Sequence, residues 1–442
     1  MAEKKLSVLT EELKNLDMVS IINGGDGKPV FVKNDLIDYS YTTGIPLIDY
    51  PIGYEVLERD ENGKVTGKRL VLGIQAGSFN VITGATQSFK STITSIITAN
   101  IAYKHEGNVM HIDAENRVVV QRVKTLTKLP DDWFTGDPPR YDIRSGAVGF
   151  DTLQEVITNI WAKKMKFKDI LIKDTGVKDS QGKPIKLMPP TIIFLDSLSD
   201  VLSKEYDAAD KKLIESAGEL HSNTFGMTNA KTIRGVLQDI LPMLKEANII
   251  MFAISHMNTN ISGSAFAGPK KQFQYGAVDV KIAGGKAVEY NSSLVATFTG
   301  ESSPDSRYHV DHDGFEGNTV IFEPTKCSTN ESGNQRTGLS FRLVIDKRAG
   351  AVDNVRSLTL FLNEKGRLKG NKAGFRLINA DGEIIGERFT WKHIYEDFKK
   401  DPATYKNFML IAKEELMKYV AKAPDVSGTI DPFDMDSIIS SL

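Results

Sequence analysis

The stretch Thr83–Thr92 reads TGATQSFKST and separates a run of strand character from a run of helical periodicity. The residues before it, SFNVIT, predict a buried strand, and isoleucines at positions 93, 96, 97 and 101 share one face of a predicted helix. Gly84, Lys90 and Ser91 match the phosphate-loop pattern of a glycine, four residues and Gly-Lys-Ser/Thr, whereas Phe89 occupies the place of the second glycine. A strand, a tight loop and a helix in this order predict one unit of an α/β fold.

Length and composition limit the classes of protein to which the chain can belong. At 442 residues it is long enough for about two or three compact units, and its 40% hydrophobic and 25% charged residues are typical of a soluble globular protein. The single cysteine, Cys327, cannot form an internal disulfide, which indicates a reducing compartment. The charged N-terminus does not resemble a signal peptide, and no apolar run approaches the roughly 18 residues of a membrane span. We therefore expect a cytoplasmic protein with no membrane partner. Because its net charge is only −2, binding to any polyanion would require a local basic patch.

Strand runs and helical periods alternate between Thr42 and about Leu362. This alternation predicts an α/β core, a mostly parallel twisted sheet flanked by helices. We divide the chain into an N-terminal arm for subunit packing (residues 1–40), this core (41–365), a small α+β C-terminal domain (366–424) and an acidic tail (425–442). The clearest strand runs are SFNVIT, NVMHID, TIIFLD, NIIMFAIS, SLVATFT and SFRLVID.

The loop after the first of these strands has the composition of a phosphate-binding site. Backbone N–H groups and the positive end of the following helix attract phosphate, Lys90 would contact the β- and γ-phosphates, and the Ser91 hydroxyl would bind Mg²⁺. A bulky residue at position 89 predicts backbone angles that a side chain tolerates rather than those open only to glycine. On the loop alone, a surface turn that happens to contain Lys-Ser is an equally good interpretation. The predicted nucleotide-binding residues of the loop are Gly84, Ala85, Thr86, Gln87, Ser88, Phe89, Lys90, Ser91 and Thr92.

Two further strand runs end in acidic residues. TIIFLD places Asp196 at the end of a buried strand, where parallel sheets bind ligands and where Mg²⁺ needs a carboxylate. NVMHID is followed by AEN, so Asp113 and Glu115 end another strand, and a glutamate there can activate the water that attacks a γ-phosphate. The alternative for Asp196 is an aspartate that caps the segment after the strand. The alternative for Asp113 and Glu115 is a pair of acids favoured at a helix start by the helix dipole. The succession of loop, Asp-Ala-Glu and Asp-Ser favours the nucleotide site.

The order of these motifs resembles that of the RecA recombinase family. DAEN (113–116) followed by FLDSLSD (194–200) carries this resemblance, and the SFKS core (88–91), with the second glycine replaced, is similar to the bacteriophage UvsX branch of the family. The resemblance extends in order from about Thr42 to at least Glu415 and implies a RecA-like P-loop ATPase core that uses ATP and Mg²⁺. Further stretches that resemble this branch are TTGIPLIDYPIGY, GIQAGSFNVITG, NAKTIRGVLQDILPML, IDKRAG and GFRLINADGEIIGERFTW.

The resemblance implies roles for individual residues of the site. Lys90 and Ser91 are expected to bind phosphate and Mg²⁺, Asp196 to be the second metal ligand, and Glu115 to activate water. His256, at the end of NIIMFAIS, is expected to sense the γ-phosphate. A solvent-facing histidine at a loop start is the alternative for His256.

Cations later in the chain extend the expected site across a subunit boundary. In the resembling family, cations at the place of Lys347 and Arg348 reach a neighbouring subunit's γ-phosphate, and they act there as catalytic groups. A solvated turn before Gly350 is the alternative. Many members of the resembling family stack an aromatic ring on the adenine shortly after the Asp-Ala-Glu motif. Here NRVVVQRV departs from that pattern and offers only Arg117 and Arg122 as candidates, although a guanidinium group can also stack on a base.

Two polar stretches have the composition of DNA-binding loops. The segment from Met257 to about Tyr290 interleaves aromatic rings with lysines and has one acid before Glu289, which is typical of a single-stranded DNA site. The earlier stretch HSNTFGMTNAKTIR is similar in position to the family's first DNA loop. A solvated, mobile surface is the alternative for both. The candidate DNA contacts are Lys231, Arg234, Phe266, Lys270, Lys271, Phe273, Lys281 and Lys286.

Taken with the resemblance, these features imply an ATP-dependent homologous recombinase. Such a protein forms a homo-oligomeric helical filament on single-stranded DNA and catalyses pairing and strand exchange with double-stranded DNA. Single-strand-binding and mediator proteins are expected partners, in the host-cell cytoplasm if a phage encodes the chain. A RecA-fold replicative helicase would share the phosphate loop and strand acids but would carry a distinct N-terminal domain. A non-catalytic DNA-coating scaffold would not need Lys90, Ser91, Glu115 and Asp196 together.

Overall fold

A computed structural model describes most of the 442-residue chain. The described residues are 38–60, 64–146, 148–180, 182–201, 222–259, 280–283, 285–300, 307–308, 317–328, 338–346 and 351–422. Most of the predicted N-terminal arm and all of the predicted acidic tail lie outside these residues.

The described residues form 20 strands and 11 α-helices. The strands are β1 Ser40–Tyr41, β2 Tyr54–Arg59, β3 Val65–Val71, β4 Ile74–Gln75, β5 Phe79–Gly84, β6 Asn108–Asp113, β7 Tyr141–Ser145, β8 Lys173–Lys178, β9 Pro184–Leu187, β10 Thr191–Asp196, β11 Ile249–Thr259, β12 Val280–Ile282, β13 Leu294–Gly300, β14 Arg307–Tyr308, β15 Gly317–Cys327, β16 Phe341–Asp346, β17 Ala351–Asp353, β18 Leu368–Asn371, β19 Gly374–Ile378 and β20 Ile384–Phe389. The α-helices are α1 Pro46–Asp49, α2 Lys90–Lys104, α3 Val120–Thr127, α4 Asp132–Thr135, α5 Phe150–Lys166, α6 Lys168–Leu171, α7 Ser222–Glu246, α8 Gly285–Asn291, α9 Asn354–Glu364, α10 Ile394–Lys400 and α11 Pro402–Met417. Within the described part of the chain, every helix is too short or too polar to cross a membrane.

Nine of these strands form the path of a central sheet, in the order β17-β16-β15-β13-β5-β11-β10-β6-β7. The five pairings from β13 to β7 are parallel, and the three from β17 to β13 are antiparallel. The short strands β12 and β14 add to β11 and β15. The prediction of a mostly parallel α/β sheet flanked by helices is therefore confirmed.

Helices cover both faces of the parallel half of the sheet. On one face, Ile193 and Leu195 of β10 belong to a buried cluster with Leu153 of α5 and Leu244 of α7. Alternate residues of β10 point to the opposite face, where α2 packs against β5, β6 and β10. Residues 192–195 of β10 are fully buried because neither face of this strand meets solvent. This burial explains why the strand reads as a continuous apolar run.

The parallel strands bring their carboxyl ends to one edge of the sheet. Asp196 of β10 lies opposite Asp113 of β6, and His256 of β11 lies opposite Gly84 of β5. Four residues that are far apart in sequence thus meet beside the start of α2. Ligands bind at this edge in open parallel sheets.

The C-terminal part of the described chain combines a small sheet with two helices. Strands β18, β19 and β20 pair antiparallel in this order, and α10 and α11 pack on β20. Four phenylalanine rings, with centroids between 4.8 and 6.0 Å apart, fill the space between them. These rings belong to Phe375, Phe389, Phe398 and Phe408.

Candidate functional site

A cleft of about 820 Å³ opens at the carboxyl edge of the parallel strands. Its volume falls within the range of about 300–1,000 Å³ that is usual for small-molecule sites. The loop after β5, the first turn of α2 and the ends of β6, β10 and β11 supply its polar wall. The ionisable side chains at this wall include Lys90, Asp113, Glu115, Asp196 and His256.

The backbone of the loop after β5 turns tightly before α2 begins at Lys90. Gly84 has φ 148°, and a Cβ atom there would overlap the carbonyl oxygen of Phe298, so this position requires glycine. The expectation that Phe89 takes angles suited to a bulky side chain is wrong: its φ of 61° and ψ of 17° lie in the left-handed region. This conformation costs a residue with a side chain about 1–2 kcal/mol. The turn into α2 imposes it, so Phe89 adopts a conformation that glycine would take more readily.

Lys90 is the first residue of α2 and is largely buried. Its Nζ donates hydrogen bonds to the Ala85 carbonyl oxygen at 2.5 Å and to Ser88 Oγ at 3.3 Å. Burial lowers the pKa of Lys90, while the carboxylates of Asp196 and Glu115 act in the opposite direction. An ammonium group beside the N–H groups of a helix start is an arrangement that attracts phosphate oxygens.

Ser91 and Asp196 form a hydroxyl–carboxylate pair beside the loop. Burial, together with the nearby charges of Glu115 and Asp113, raises the pKa of Asp196 to about 6, against a hydrogen bond from Ser91 and the charge of His256. A cation beside this carboxylate would relieve the repulsion. Mg²⁺ bound to phosphates takes one or two protein ligands and fills its other positions with phosphate and water oxygens. The pair fits such a metal, whereas the described residues include no group of three or more His, Cys, Asp or Glu side chains that could hold a metal by themselves.

Glu115 is held in place by its neighbours at the mouth of the cleft. Its Oε1 lies 2.7 Å from His256 Nε2, and its Oε2 lies 3.2 Å from Arg117 Nη1. Burial acts to raise the pKa of Glu115, but the His256 hydrogen bond and charge, with Arg117 and a Ser197 hydrogen bond, lower it overall. The side chain is therefore an ionised carboxylate with a fixed orientation, as a group that positions or deprotonates water requires.

Asp113 has a different role from Glu115, although both follow the same strand. Its carboxylate accepts hydrogen bonds from the backbone N–H groups of Arg117 at 3.2 Å and Val118 at 2.8 Å, and from Ser145 Oγ at 3.0 Å. These bonds hold the segment that leads from β6 to α3. Asp113 thus anchors the loop on which Glu115 lies.

An apolar wall of the cleft was not anticipated from the sequence. Val118 and Val119, with Val123 and Leu126 of α3, line the cleft beside the predicted base contacts Arg117 and Arg122. Val119 is 61% exposed, so its apolar surface is open to a ligand in the cleft. In the sequence, the run of three valines at 118–120 was the signal for this surface. An apolar wall beside a guanidinium group suits the binding of a planar ring.

The structure describes only some of the predicted DNA contacts and trans-acting cations. Arg234 of α7 and Lys286 of α8 are exposed, and the two helices pack together through a shared apolar cluster. Asp346, at the end of β16, lines the cleft directly before Lys347 and Arg348 in sequence. Outside what the structure describes lie Phe266, Lys270, Lys271, Phe273, Lys347, Arg348 and the side chains of Lys231 and Lys281.

No protein-family model matches the chain, and no curated protein sequence is similar enough to it to count as a relative. The geometry of the site places a cation, a hydroxyl–carboxylate pair and an oriented carboxylate around one cleft. These groups can bind an anionic ligand with its metal ion and position a water molecule next to it.

Proposed function

We propose that the chain is a P-loop ATPase with a RecA-like core. The observation that carries this proposal is the meeting, at one sheet edge, of the loop after β5, Lys90, the Ser91–Asp196 pair and the Glu115–His256 pair. A surface turn that contains Lys-Ser would not need Asp196, Glu115 and His256 beside it. Together they supply phosphate binding, metal binding and water positioning, the functions that phosphoryl transfer to water requires.

Each side chain of the site has a defined part in the proposed reaction. Lys90 and the N–H groups of the loop bind the β- and γ-phosphate oxygens. Ser91 and Asp196 hold Mg²⁺, which when bound neutralises charge on the phosphates. Glu115, ionised at neutral pH, accepts a proton from the attacking water. His256 fixes the direction of the Glu115 carboxylate through their 2.7 Å contact.

The position of His256 supports coupling between DNA binding and ATP hydrolysis. The three residues of β11 that follow it, Met257–Thr259, pair antiparallel with β12. These two strands lie within the predicted DNA segment, which runs from Met257 to about Tyr290 and begins directly after His256 in sequence. A ligand on that segment can displace the paired strands and thereby His256, and this would change the orientation of Glu115.

We extend the proposal to a homologous recombinase that forms helical filaments on single-stranded DNA. The motif order that resembles the RecA family and the lysines and aromatic rings of 257–290 support this extension. A RecA-fold helicase and a DNA-coating scaffold remain the competing functions. The helicase would use the same cleft in a closed ring, and the scaffold would bind DNA without regard to nucleotide.

Electron microscopy of the protein with single-stranded DNA, Mg²⁺ and a non-hydrolysable ATP analogue separates these functions. We expect helical filaments from the wild type only when the analogue is present, and none from Lys90→Ala, whose circular dichroism spectrum should match that of the wild type. Closed rings would favour the helicase. Equal coating of DNA by both proteins, with and without the analogue, would favour the scaffold and refute the ATPase.

A further inference from the structure

His111 is a buried histidine of the cleft that the proposed reaction does not use. It lies on β6, two residues before Asp113, and is 1% exposed. Its ring stacks on Phe194 with centroids 4.1 Å apart and planes at 27°, and it meets the edge of Tyr141 at 6.2 Å. Aromatic packing therefore fixes this ring in the lining of the cleft.

Both nitrogens of this ring are buried without a partner. Among the described residues, neither Nδ1 nor Nε2 of His111 forms a hydrogen bond. Burial lowers the pKa of His111 to about 4, although Asp113 opposes the shift, so the neutral ring has one N–H donor and one acceptor. Phenylalanine would stack on Phe194 equally well and would avoid burying two unpaired polar atoms.

Buried polar groups in folded proteins almost always have a hydrogen-bond partner, which here has to come from the cleft. A ring so little exposed leaves room for a water molecule rather than for a phosphate group or a base. A buried water needs about two to four polar partners. Asp113, on the same face of β6, and Ser95 of α2 also line the cleft and can supply some of them.

We propose that His111 binds an ordered water that links its ring to the hydrated phosphates of the bound Mg²⁺–nucleotide. This inference rests on the proposed nucleotide site. It makes His111 a positioning residue, because the ring acts on nucleotide affinity through the water and has no part in proton transfer. A water held between the ring and the hydrated phosphates would satisfy nitrogens that are buried without a partner among the described residues.

The test compares the full-length wild type with His111→Phe, which keeps the aromatic stack and removes both nitrogens. Thermal unfolding without nucleotide should show a higher Tm for His111→Phe. Titration with Mg²⁺ and the non-hydrolysable ATP analogue should show binding that is weaker by roughly three- to tenfold, the usual effect of one net hydrogen bond. A matched pair of similar length, His111→Gln and His111→Met, repeats the comparison without the aromatic ring. Gln should bind the analogue more tightly than Met.

The outcomes separate the inference from the function on which it rests. If the wild type does not bind the analogue, the proposed ATPase fails. If the wild type binds and His111→Phe binds with equal affinity, the water-mediated role is refuted and His111 only packs. If His111→Phe does not fold, equal affinities of the Gln and Met variants refute the inference and tighter binding by Gln supports it.

Discussion

Replacing Asp196 by asparagine should stabilise the protein at neutral pH and weaken its binding of Mg²⁺–nucleotide. The carboxylate is buried beside two other acids, Asp113 and Glu115, and its pKa is raised to about 6. An asparagine oxygen can still accept the hydrogen bond from Ser91, but it carries no charge. The substitution therefore removes a buried charge, which should raise stability, and it removes a metal ligand, which should weaken the binding of Mg²⁺–nucleotide.

The size and sign of the effect follow from the pKa of this group. The ordinary value is 3.8 and the folded value about 6, which at about 1.4 kcal/mol per pKa unit corresponds to roughly 3 kcal/mol. Between these values the folded protein keeps a proton that the unfolded chain has lost, so stability falls as pH rises through this window. The advantage of Asp196→Asn should be near zero below about pH 4 and approach about 3 kcal/mol above about pH 7.

Asp113→Asn is the matched control, because Asp113 lies opposite Asp196 in the sheet and is also buried. Its carboxylate accepts two backbone N–H groups and the Ser145 hydroxyl. An amide turns its NH₂ group toward at least one of these donors. Asp113→Asn should therefore destabilise the protein, by about 1–3 kcal/mol.

Urea unfolding of the three proteins at about pH 5 and about pH 7.5, followed by circular dichroism, measures both effects. At the higher pH, we expect Asp196→Asn to be more stable than the wild type and Asp113→Asn to be less stable. The reasoning fails if Asp196→Asn is no more stable than the wild type there, or if its advantage does not grow between the two pH values. Titration with Mg²⁺ and the ATP analogue should show weaker binding for Asp196→Asn in the same preparation.

Two further predictions concern other groups. Glu115→Gln should keep nucleotide binding and the contact with His256 but lower DNA-stimulated ATP turnover by at least about 100-fold, since an amide cannot accept the proton; unchanged turnover would exclude Glu115 as the base. Lys164 is buried against the carbonyl oxygens of Pro189 and Asn248 and the Thr191 hydroxyl, and burial lowers its pKa from 10.5 to about 7. The unfolded chain holds this proton up to higher pH, so the wild type should gain stability as pH rises from about 7 toward 10, with a slope that Lys164→Met lacks. Parallel pH profiles of unfolding for the two proteins would contradict this.

The local pattern of the sequence determined the strand–loop–helix unit and the ends of the strands. The run SFNVIT corresponds to β5, the isoleucine period to α2, and NVMHID and TIIFLD end at Asp113 and Asp196 as β6 and β10 do. These features depend on residues close in sequence, because apolar periodicity follows from the geometry of a single element. The rule that parallel strands share an edge then predicted that the acids and the loop would meet.

Only the tertiary structure decided what each of these side chains contacts. Strand order places His256 beside Gly84 and 2.7 Å from Glu115, although 141 residues separate the two side chains in sequence. Asp113 and Glu115 are two residues apart, yet Asp113 accepts hydrogen bonds from backbone N–H groups, whereas Glu115 contacts His256 and Arg117. The unpaired nitrogens of His111 likewise follow from the packing around its ring. Hydrogen-bond partners, burial and pKa depend on residues from several distant strands, so they are properties of the assembled sheet and not of any segment alone.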